Sequence, residues 1–126
     1  MNKKVILALD NLALEDSINI TNQVKDKLLT VKVGLELFNL VSKTGIKRFN
    51  DIGVNNLLLD LKLNDIPATV YRSILALKGI KFGFLTVMAL GGNEMIKQAK
   101  KAASELDPNI KILAVTILTS LSKQEL

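Results

Sequence analysis

The stretch LDLKLNDIPAT, residues 59–69, joins the end of an apolar run to the start of a helical pattern and carries three charges at that junction. In an extended segment, Asp60 and Lys62 lie two residues apart and share a face, while the neighbouring leucines point the other way. Burying either charge without a partner is costly, and even a well-made buried ion pair often adds little net stability. We therefore interpret the pair as catalytic; the structural alternative is a partly exposed ion pair at a strand end.

The residues around this pair indicate a strand-to-helix junction. Pro67 suits the first turn of a helix, where its missing N–H is not needed, and Asp65 suits the positive end of the helix dipole. Gly79 and Pro108 follow the last periodic residues of two helical patterns and predict where those helices end. Gly91-Gly92 predicts a tight turn, with Asn93 as the cap of the next helix.

Five near-continuously apolar runs have the pattern of strands that are buried on both faces. They span residues 5–9, 29–33, 57–61, 84–89 and 110–118. Four segments between them have apolar residues at helical spacing. These residues are Leu14, Ile18, Val24 and Leu28; Leu37, Leu40 and Val41; Val70, Ile74 and Leu77; and Met95, Ile96, Ala99, Ala103 and Leu106. The pattern predicts a βα array with about five strands and four helices.

Such an array forms either an open doubly wound sheet or a closed (β/α)8 barrel. Asp10, Lys32, Asp60 and Lys62 fall at or near the predicted strand ends, where the catalytic groups of a (β/α)8 barrel converge. The first turn lacks the glycine-rich fingerprint of a dinucleotide-binding fold. We therefore predict an α/β fold that is a partial (β/α)8 TIM barrel.

The length of the chain differs from that of a complete barrel, which needs eight units and typically about 250 residues. Residues 1–126 supply five strands, and a fifth helix would begin at residues 122–126. We expect a single domain over residues 1–126, equivalent to the amino-terminal half of a barrel and apparently truncated. Its first and last strands would be open edges, so the chain is a fragment or pairs with another chain.

Composition excludes several function classes. The chain is 48% hydrophobic and 23% charged, with a net charge of +5 and no cysteine or histidine. Zinc and haem sites are therefore excluded, and carboxylates remain as the ordinary metal ligands. The lysines are dispersed and the aromatics few, which argues against nucleic acid. No apolar run approaches the roughly 18 residues of a membrane span, and no secretory segment begins the chain, so we expect a cytoplasmic protein without membrane contact.

The segment DLKLNDIPATV, residues 60–70, closely resembles the signature of the orotidine 5'-phosphate decarboxylase family, Asp-x-Lys-x-x-Asp-Ile-Pro-x-Thr. Other matching segments follow in the family's order along the whole chain. They are Ala8-Leu9-Asp10, Lys32-Val33-Gly34 with Glu36 and Phe38, Gly91-Gly92, and residues 114–120. The resemblance implies a barrel of the ribulose-phosphate-binding type and the decarboxylation of orotidine 5'-phosphate to UMP in pyrimidine biosynthesis.

The resemblance also implies catalytic roles for particular residues. Lys62 resembles the lysine that donates a proton to C6 of the pyrimidine, and Asp60 the acid that keeps this lysine charged and oriented. Asp65 resembles an acid that reaches the active site of the partner subunit, so that positive and negative charges alternate along the site from Lys32 onward. The family's reaction needs neither a metal nor an organic cofactor.

Substrate-binding residues are implied in the same way. Asp10 resembles a residue near the pyrimidine and ribose, Lys32 one that contacts a ribose hydroxyl, and Thr119 a substrate contact after the fifth strand. Ile66 and Thr69 resemble residues that reach into the partner subunit, which implies a homodimer. For Asp10 and Thr119, the structural alternative is a turn or helix cap.

Some positions depart from the family pattern. Met88 and Asn64 stand where histidine is common, Leu90 where serine is common, and Ala68 where asparagine is common. None of these is an acid or base of the mechanism. The family's phosphate-gripping loop comes from strands seven and eight and has no counterpart here. Binding energy from a remote phosphate supports the transition state, so we expect impaired activity.

Two alternatives remain open at this stage. One is the magnesium-dependent 3-keto-L-gulonate 6-phosphate decarboxylase or hexulose phosphate synthase group, which shares the Asp-x-Lys-x-x-Asp spacing. That group places an acid where Lys32 stands and lacks the Asp-Ile-Pro sequence after the shared motif. The other alternative is a non-catalytic half-barrel that survives as a remnant or an interaction module.

Overall fold

The apolar runs form five parallel strands in the computed structural model, which describes residues 2–126. The strands are β1 (Ile6–Ala8), β2 (Thr30–Gly34), β3 (Leu57–Leu63), β4 (Phe82–Met88) and β5 (Lys111–Val115). Each strand pairs with the next one in the sequence, so the sheet order is β1-β2-β3-β4-β5. A doubly wound sheet reverses its order at a switch point, whereas this sheet continues in one direction, as a barrel does. The predicted partial (β/α)8 barrel is confirmed.

Four α-helices connect the strands, as predicted. They are α1 (Leu14–Val24), α2 (Leu35–Asp51), α3 (Pro67–Leu75) and α4 (Asn93–Leu106), with short 3-10 turns at Lys25–Lys27, Ala89–Gly91 and Lys123–Glu125. Pro67 is the first residue of α3, and Gly79 beyond its end has φ +105°, a conformation that favours glycine. In the described part of the chain, no helix is long and apolar enough to cross a membrane.

Several predicted strand boundaries were wrong. The fifth strand was expected over residues 110–118 but ends at Val115, which pairs with Met88, the last residue of β4. Residues beyond Val115 therefore have no neighbouring strand to extend the hydrogen-bonded ladder. β1 is shorter than the predicted residues 5–9, and β4 begins two residues earlier than predicted.

The second helix is longer than its apolar spacing predicted. It runs from Leu35 to Asp51 but contains a break at Ser42, where φ is +55°. The break interrupts the 3.6-residue period, so the spacing before it does not continue after it. The segment after the break buries Ile46 and Phe49 completely, and the sequence pattern did not identify either residue.

The apolar core lies between the sheet and the helices. In a parallel sheet, residues in register point to the same face. Val31 of β2, Leu59 of β3 and Leu85 of β4 share one face and are fully buried, as are the helical residues Phe49 and Ile74 of the same core. Connections between neighbouring parallel strands are almost always right-handed, which puts the four helices on this face.

The opposite face of the sheet is exposed at its two edge strands, so the prediction of strands covered on both faces was wrong for β1 and β5, whereas Leu58 of β3, on the same face, is buried. Ile6 of β1 is 40% exposed and Leu113 of β5 is 38% exposed. The helices supply only one covering layer, and the second face carries the polar side chains Lys32, Asp60 and Thr86. This open face, near the carboxyl ends of the strands, holds the candidate site.

Candidate active site

The charged pair predicted from the sequence is formed in the structure. Lys62 Nζ lies 2.9 Å from both Asp60 Oδ1 and Asp60 Oδ2, so the ammonium group is centred on the carboxylate. The Asp60 side chain is 13% exposed, whereas that of Lys62 is 34% exposed. The pair is therefore partly buried, with the ammonium group closer to solvent than the carboxylate.

The backbone between the two residues is not a regular strand, although the sequence analysis assumed an extended segment. Lys62 has φ +47°, in the left-handed region that L-residues rarely adopt. The pairing of β3 with β4 also shifts register between Leu59 and Leu63, as in a β-bulge. Bulges re-aim side chains and are common next to active sites. The close contact therefore depends on a local irregularity and not on strand alternation alone.

Two further residues extend the pair into a row of alternating charges. Lys32 of β2 places its Nζ 3.6 Å from Asp60 Oδ2 and 3.8 Å from Asp10 Oδ2. Asp10 follows β1 and has a side chain that is 60% exposed. The row runs across three neighbouring strands because parallel strands all present their carboxyl ends to the same edge.

The sequence analysis missed Thr86 of β4. Its hydroxyl donates a hydrogen bond to Asp60 Oδ1 at 2.8 Å and accepts one from the backbone N–H of Lys62 at 2.9 Å. Thr86 is only 6% exposed. A hydroxyl inside an otherwise apolar strand was the available signal, because a buried polar group requires a partner.

The surroundings of Asp60 favour its ionised form. Burial raises the pKa of the Asp60 carboxyl group, but the hydrogen bonds from Lys62 and Thr86 and the positive charges of Lys62 and Lys32 lower it. The net effect is a pKa below the usual value for aspartate. The carboxylate is therefore charged at neutral pH and holds the ammonium group beside it.

The residues after the pair lie outside the charged row. Asp65 is exposed, and its carboxylate accepts a hydrogen bond from the backbone N–H of Ile66 at 2.7 Å. Ile66 is 65% exposed, and Thr69 is half-buried in the first turn of α3. In residues 2–126, Asp65 makes no ion pair with Lys62. These three side chains are displayed at the start of α3, next to the site but not in it.

Two other predicted features differ in detail. Thr119 lies in an exposed turn after β5, and within the described residues it makes no side-chain contact with the charged row. Gly92, with φ +91°, precedes the first helical residue of α4, which is Asn93 itself. The prediction of Asn93 as the helix cap was therefore wrong, because the tight turn ends one residue earlier.

Comparison with known proteins identifies curated relatives of this chain. The curated orotidine 5'-phosphate decarboxylase of Fusobacterium nucleatum is 41% identical over 126 residues, which is 100% of this chain and 53% of that protein. The corresponding protein of Malacoplasma penetrans is 37% identical over 125 residues, covering 99% of this chain and 54% of that protein. The chain spans about half the length of the curated relatives it matches.

Solved structures agree with these relatives. The crystal structure of orotidine 5'-phosphate decarboxylase from Lactobacillus acidophilus matches with a TM-score of 0.80 and 41% identity, covering 98% of this chain and 57% of that one. The Methanocaldococcus jannaschii orotidine 5'-monophosphate decarboxylase complexed with the inhibitor BMP matches with a TM-score of 0.76 and 28% identity, covering 86% and 50%. A family model described as orotidine 5'-phosphate decarboxylase / HUMPS family matches residues 3–126. The resemblance seen in the sequence is thus confirmed, and the chain belongs to this family.

Proposed function

We propose that this chain carries the catalytic centre for decarboxylation of orotidine 5'-phosphate to UMP, with Lys62 as the proton donor. The observation that carries the proposal is the contact of Lys62 Nζ with both carboxylate oxygens of Asp60, at 2.9 Å each. The names of the curated relatives support the substrate, and the inhibitor-bound relative supports a small-molecule ligand at this type of site.

The reaction breaks the bond between C6 of the pyrimidine and its carboxylate carbon. Carbon dioxide leaves, and the bonding electron pair stays on C6 as a carbanion with little resonance stabilisation. An ammonium group beside C6 lowers the energy of this developing negative charge. Lys62 then donates an Nζ proton to C6 and becomes a neutral amine, which regains a proton from water.

Asp60 keeps the proton donor charged and in place. Its carboxylate accepts hydrogen bonds from Lys62 on both oxygens and from the Thr86 hydroxyl on Oδ1, so it is fixed in orientation. We place the substrate carboxylate beside that of Asp60. Repulsion between the two carboxylates would then be relieved as carbon dioxide leaves.

The position of Lys32 supports a reaction without a metal. Its ammonium group lies between the Asp60 and Asp10 carboxylates, at 3.6 Å and 3.8 Å, where it neutralises both acids. A divalent cation held by these acids would compete with that charge. This arrangement favours the orotidine 5'-phosphate reading over the magnesium-dependent relatives. We assign Lys32 and Asp10 to the ribose end of the substrate.

We further propose a homodimer in which the residues after the pair act on the partner's site. Asp65 and Ile66 are exposed at the start of α3, and Thr69 lies one turn further along. From there, Asp65 would supply the next negative charge to the partner's Lys62. Thr119, exposed after β5, would contact the substrate from the same chain.

The chain covers about half the length of its relatives, which supports a division of function between the two halves of the barrel. We propose that residues 1–126 form one domain, equivalent to the amino-terminal half, and that phosphate binding belongs to the other half. Because remote phosphate binding lowers the transition-state barrier, the 126 residues alone would turn over slowly even with Lys62 in place.

A chimera tests the proposal directly. Residues 1–126 replace the matching half of the Fusobacterium nucleatum relative, and release of carbon dioxide from orotidine 5'-phosphate is measured with and without excess EDTA. We expect turnover that EDTA does not change. Turnover that requires magnesium would contradict the metal-free mechanism. The 126-residue chain alone, titrated by calorimetry with a nonhydrolysable UMP analogue, should bind weakly or not at all.

A further inference from the structure

The bulge in β3 places the catalytic pair opposite a single residue of β4. Leu59 pairs with Leu85 and Leu63 pairs with Val87, so residues 60–62 lie opposite Thr86 alone. A regular ladder would oppose one residue with one residue. Because three residues of β3 lie opposite one residue of β4, the backbone that carries the pair does not follow the regular register. Thr86 is the β4 residue that faces this backbone.

The Thr86 hydroxyl makes one hydrogen bond to each member of the pair. It accepts from the backbone N–H of Lys62 at 2.9 Å and donates to Asp60 Oδ1 at 2.8 Å. Both capacities of the hydroxyl are used, and the side chain is 6% exposed. The same hydroxyl therefore holds both the backbone of Lys62, which carries the ammonium group, and the Asp60 carboxylate, which contacts that group.

Two properties of the pair require such a link. Lys62 has φ +47°, which an L-residue adopts only when its surroundings impose it. The Asp60 carboxylate must also be held in one plane for Lys62 Nζ to lie at 2.9 Å from both oxygens. Valine would fill the volume of Thr86 but would leave the partly buried N–H of Lys62 unpaired and remove one hydrogen-bond donor from the Asp60 carboxylate.

We propose that Thr86 is a positioning residue, whose hydroxyl locks the bulge at Lys62 to the carboxylate of Asp60 and so holds the ammonium group where the substrate's C6 would lie. The catalytic consequence rests on the function proposed above. The geometric consequence does not, because it concerns only contacts within this chain.

The first test measures the geometry in the 126-residue chain. The groups that face Asp60 are Lys62 from β3, Lys32 from β2 and Thr86 from β4, with Asp10 reaching it through Lys32. Carbon-13 NMR follows the Asp60 carboxyl carbon through an acid titration in the wild type, Thr86→Ser and Thr86→Val. We expect Thr86→Val to raise the titration midpoint, because the ionised form loses a donor, and Thr86→Ser to stay near the wild type.

The second test measures turnover in the chimera described above. We expect Thr86→Val to lower kcat about tenfold or more with a small change in KM, because a misplaced catalytic group affects the transition state most. Thr86→Ser should restore kcat. If the unsubstituted chimera is inactive, the proposed function fails while the titration still decides the role of Thr86.

One result overturns the proposal: Thr86→Val with an Asp60 titration like that of the wild type. Circular dichroism establishes that each variant is folded. Should Thr86→Val not fold, Thr86→Ala removes the hydroxyl without placing a methyl group beside the carboxylate, and the same shift in the Asp60 midpoint is expected from it.

Discussion

The two ends of the sheet use hydrogen bonds for different purposes. At the amino-terminal end, side chains bond to backbone groups of the loops that enter the strands: Asn50 Nδ2 donates to the carbonyls of Val54 and Lys81, and Thr30 Oγ1 donates to the carbonyl of Asn56. At the carboxyl-terminal end, the contacts join charged side chains to each other and to the Thr86 hydroxyl. The first pattern satisfies backbone groups that loops leave unpaired. The second concentrates charge on a partly exposed face.

We propose that this difference reflects a role in stability at one end and in chemistry at the other. A cleft also lies at the amino-terminal end, lined by residues such as Lys25, Thr30 and Asn56. It contains no charged pair like that of Asp60 and Lys62, so a concave shape alone does not locate the candidate site. In (β/α)8 barrels, the carboxyl ends of the strands carry catalysis and the opposite end contributes to the fold.

The largest effect that tests this comparison comes from two lysines at opposite ends. In the chimera, we expect Lys62→Ala to lower kcat at least about a thousandfold, because it removes both the proton donor and the charge beside C6. Lys25→Ala removes a hydrogen bond of 2.6 Å from Nζ to the carbonyl of Ile52. That change should destabilise the fold by about 1 kcal/mol and leave kcat unchanged. A rate that survives Lys62→Ala would break the assignment of chemistry to the carboxyl end.

A change of intermediate size is expected at Asn50. Its side chain makes three hydrogen bonds that join α2, the loop before β3 and Lys81, the residue before β4. Asn50→Ala should lower the free energy of unfolding by about 2 kcal/mol, measured by urea denaturation, because these backbone groups lose their partner. The exposed Asn55 makes no side-chain hydrogen bond within residues 2–126, and Asn55→Ala is the matched control, with less than about 0.5 kcal/mol expected. Equal losses in both variants would contradict a structural role for Asn50.

The smallest effect concerns acid stability. The pKa of Asp60 is lower in the folded chain than its usual value, so its ionised form stabilises the fold above about pH 4. This contribution is lost as the pH falls through the folded-state value. Asp60→Asn should remove it and reduce the slope of stability against pH by at most about 1.4 kcal/mol per pH unit.

The control for this measurement is Glu15→Gln. Glu15 also has a lowered pKa, because of its hydrogen bond with Arg48, but this pair is exposed and solvent screens it. Glu15→Gln should change the slope of stability against pH less than Asp60→Asn does. Denaturant titrations between pH 2 and 6 measure both variants. A larger change in Glu15→Gln would show that exposure, and not position at the carboxyl end, governs acid stability.

Much of the fold could be predicted because local periodicity records burial. The five apolar runs locate the strands, and Pro67 marks the start of α3 correctly, whereas the helix ends at Leu75, before the predicted limit at Gly79. The errors lie where the conformation depends on a contact or a backbone break that the spacing of apolar residues does not show. Residues 116–118 include the apolar Ile117 and Leu118, but they are not in a strand because β4 offers them no partner. Ile46 and Phe49 were missed because the break at Ser42 shifts the period of α2.

The charged residues of the candidate site could be predicted from the sequence, but their positions relative to one another could not. Asp60 and Lys62 were identified together because two opposite charges in an apolar strand are costly unless they serve a purpose. Thr86 was not identified, since nothing in the run from Phe82 to Met88 indicates which distant residue its hydroxyl meets.

The sequence by itself determined the order of strands and helices, the family and the identity of the paired acid and lysine, because these depend on residue type and on spacing along the chain. The tertiary structure decided the strand order in the sheet, the bulge that brings Lys62 Nζ onto the Asp60 carboxylate, and the place of Thr86 between them. Those features depend on the register between segments distant in sequence. Register is set by packing across the whole sheet and is not encoded in any one segment.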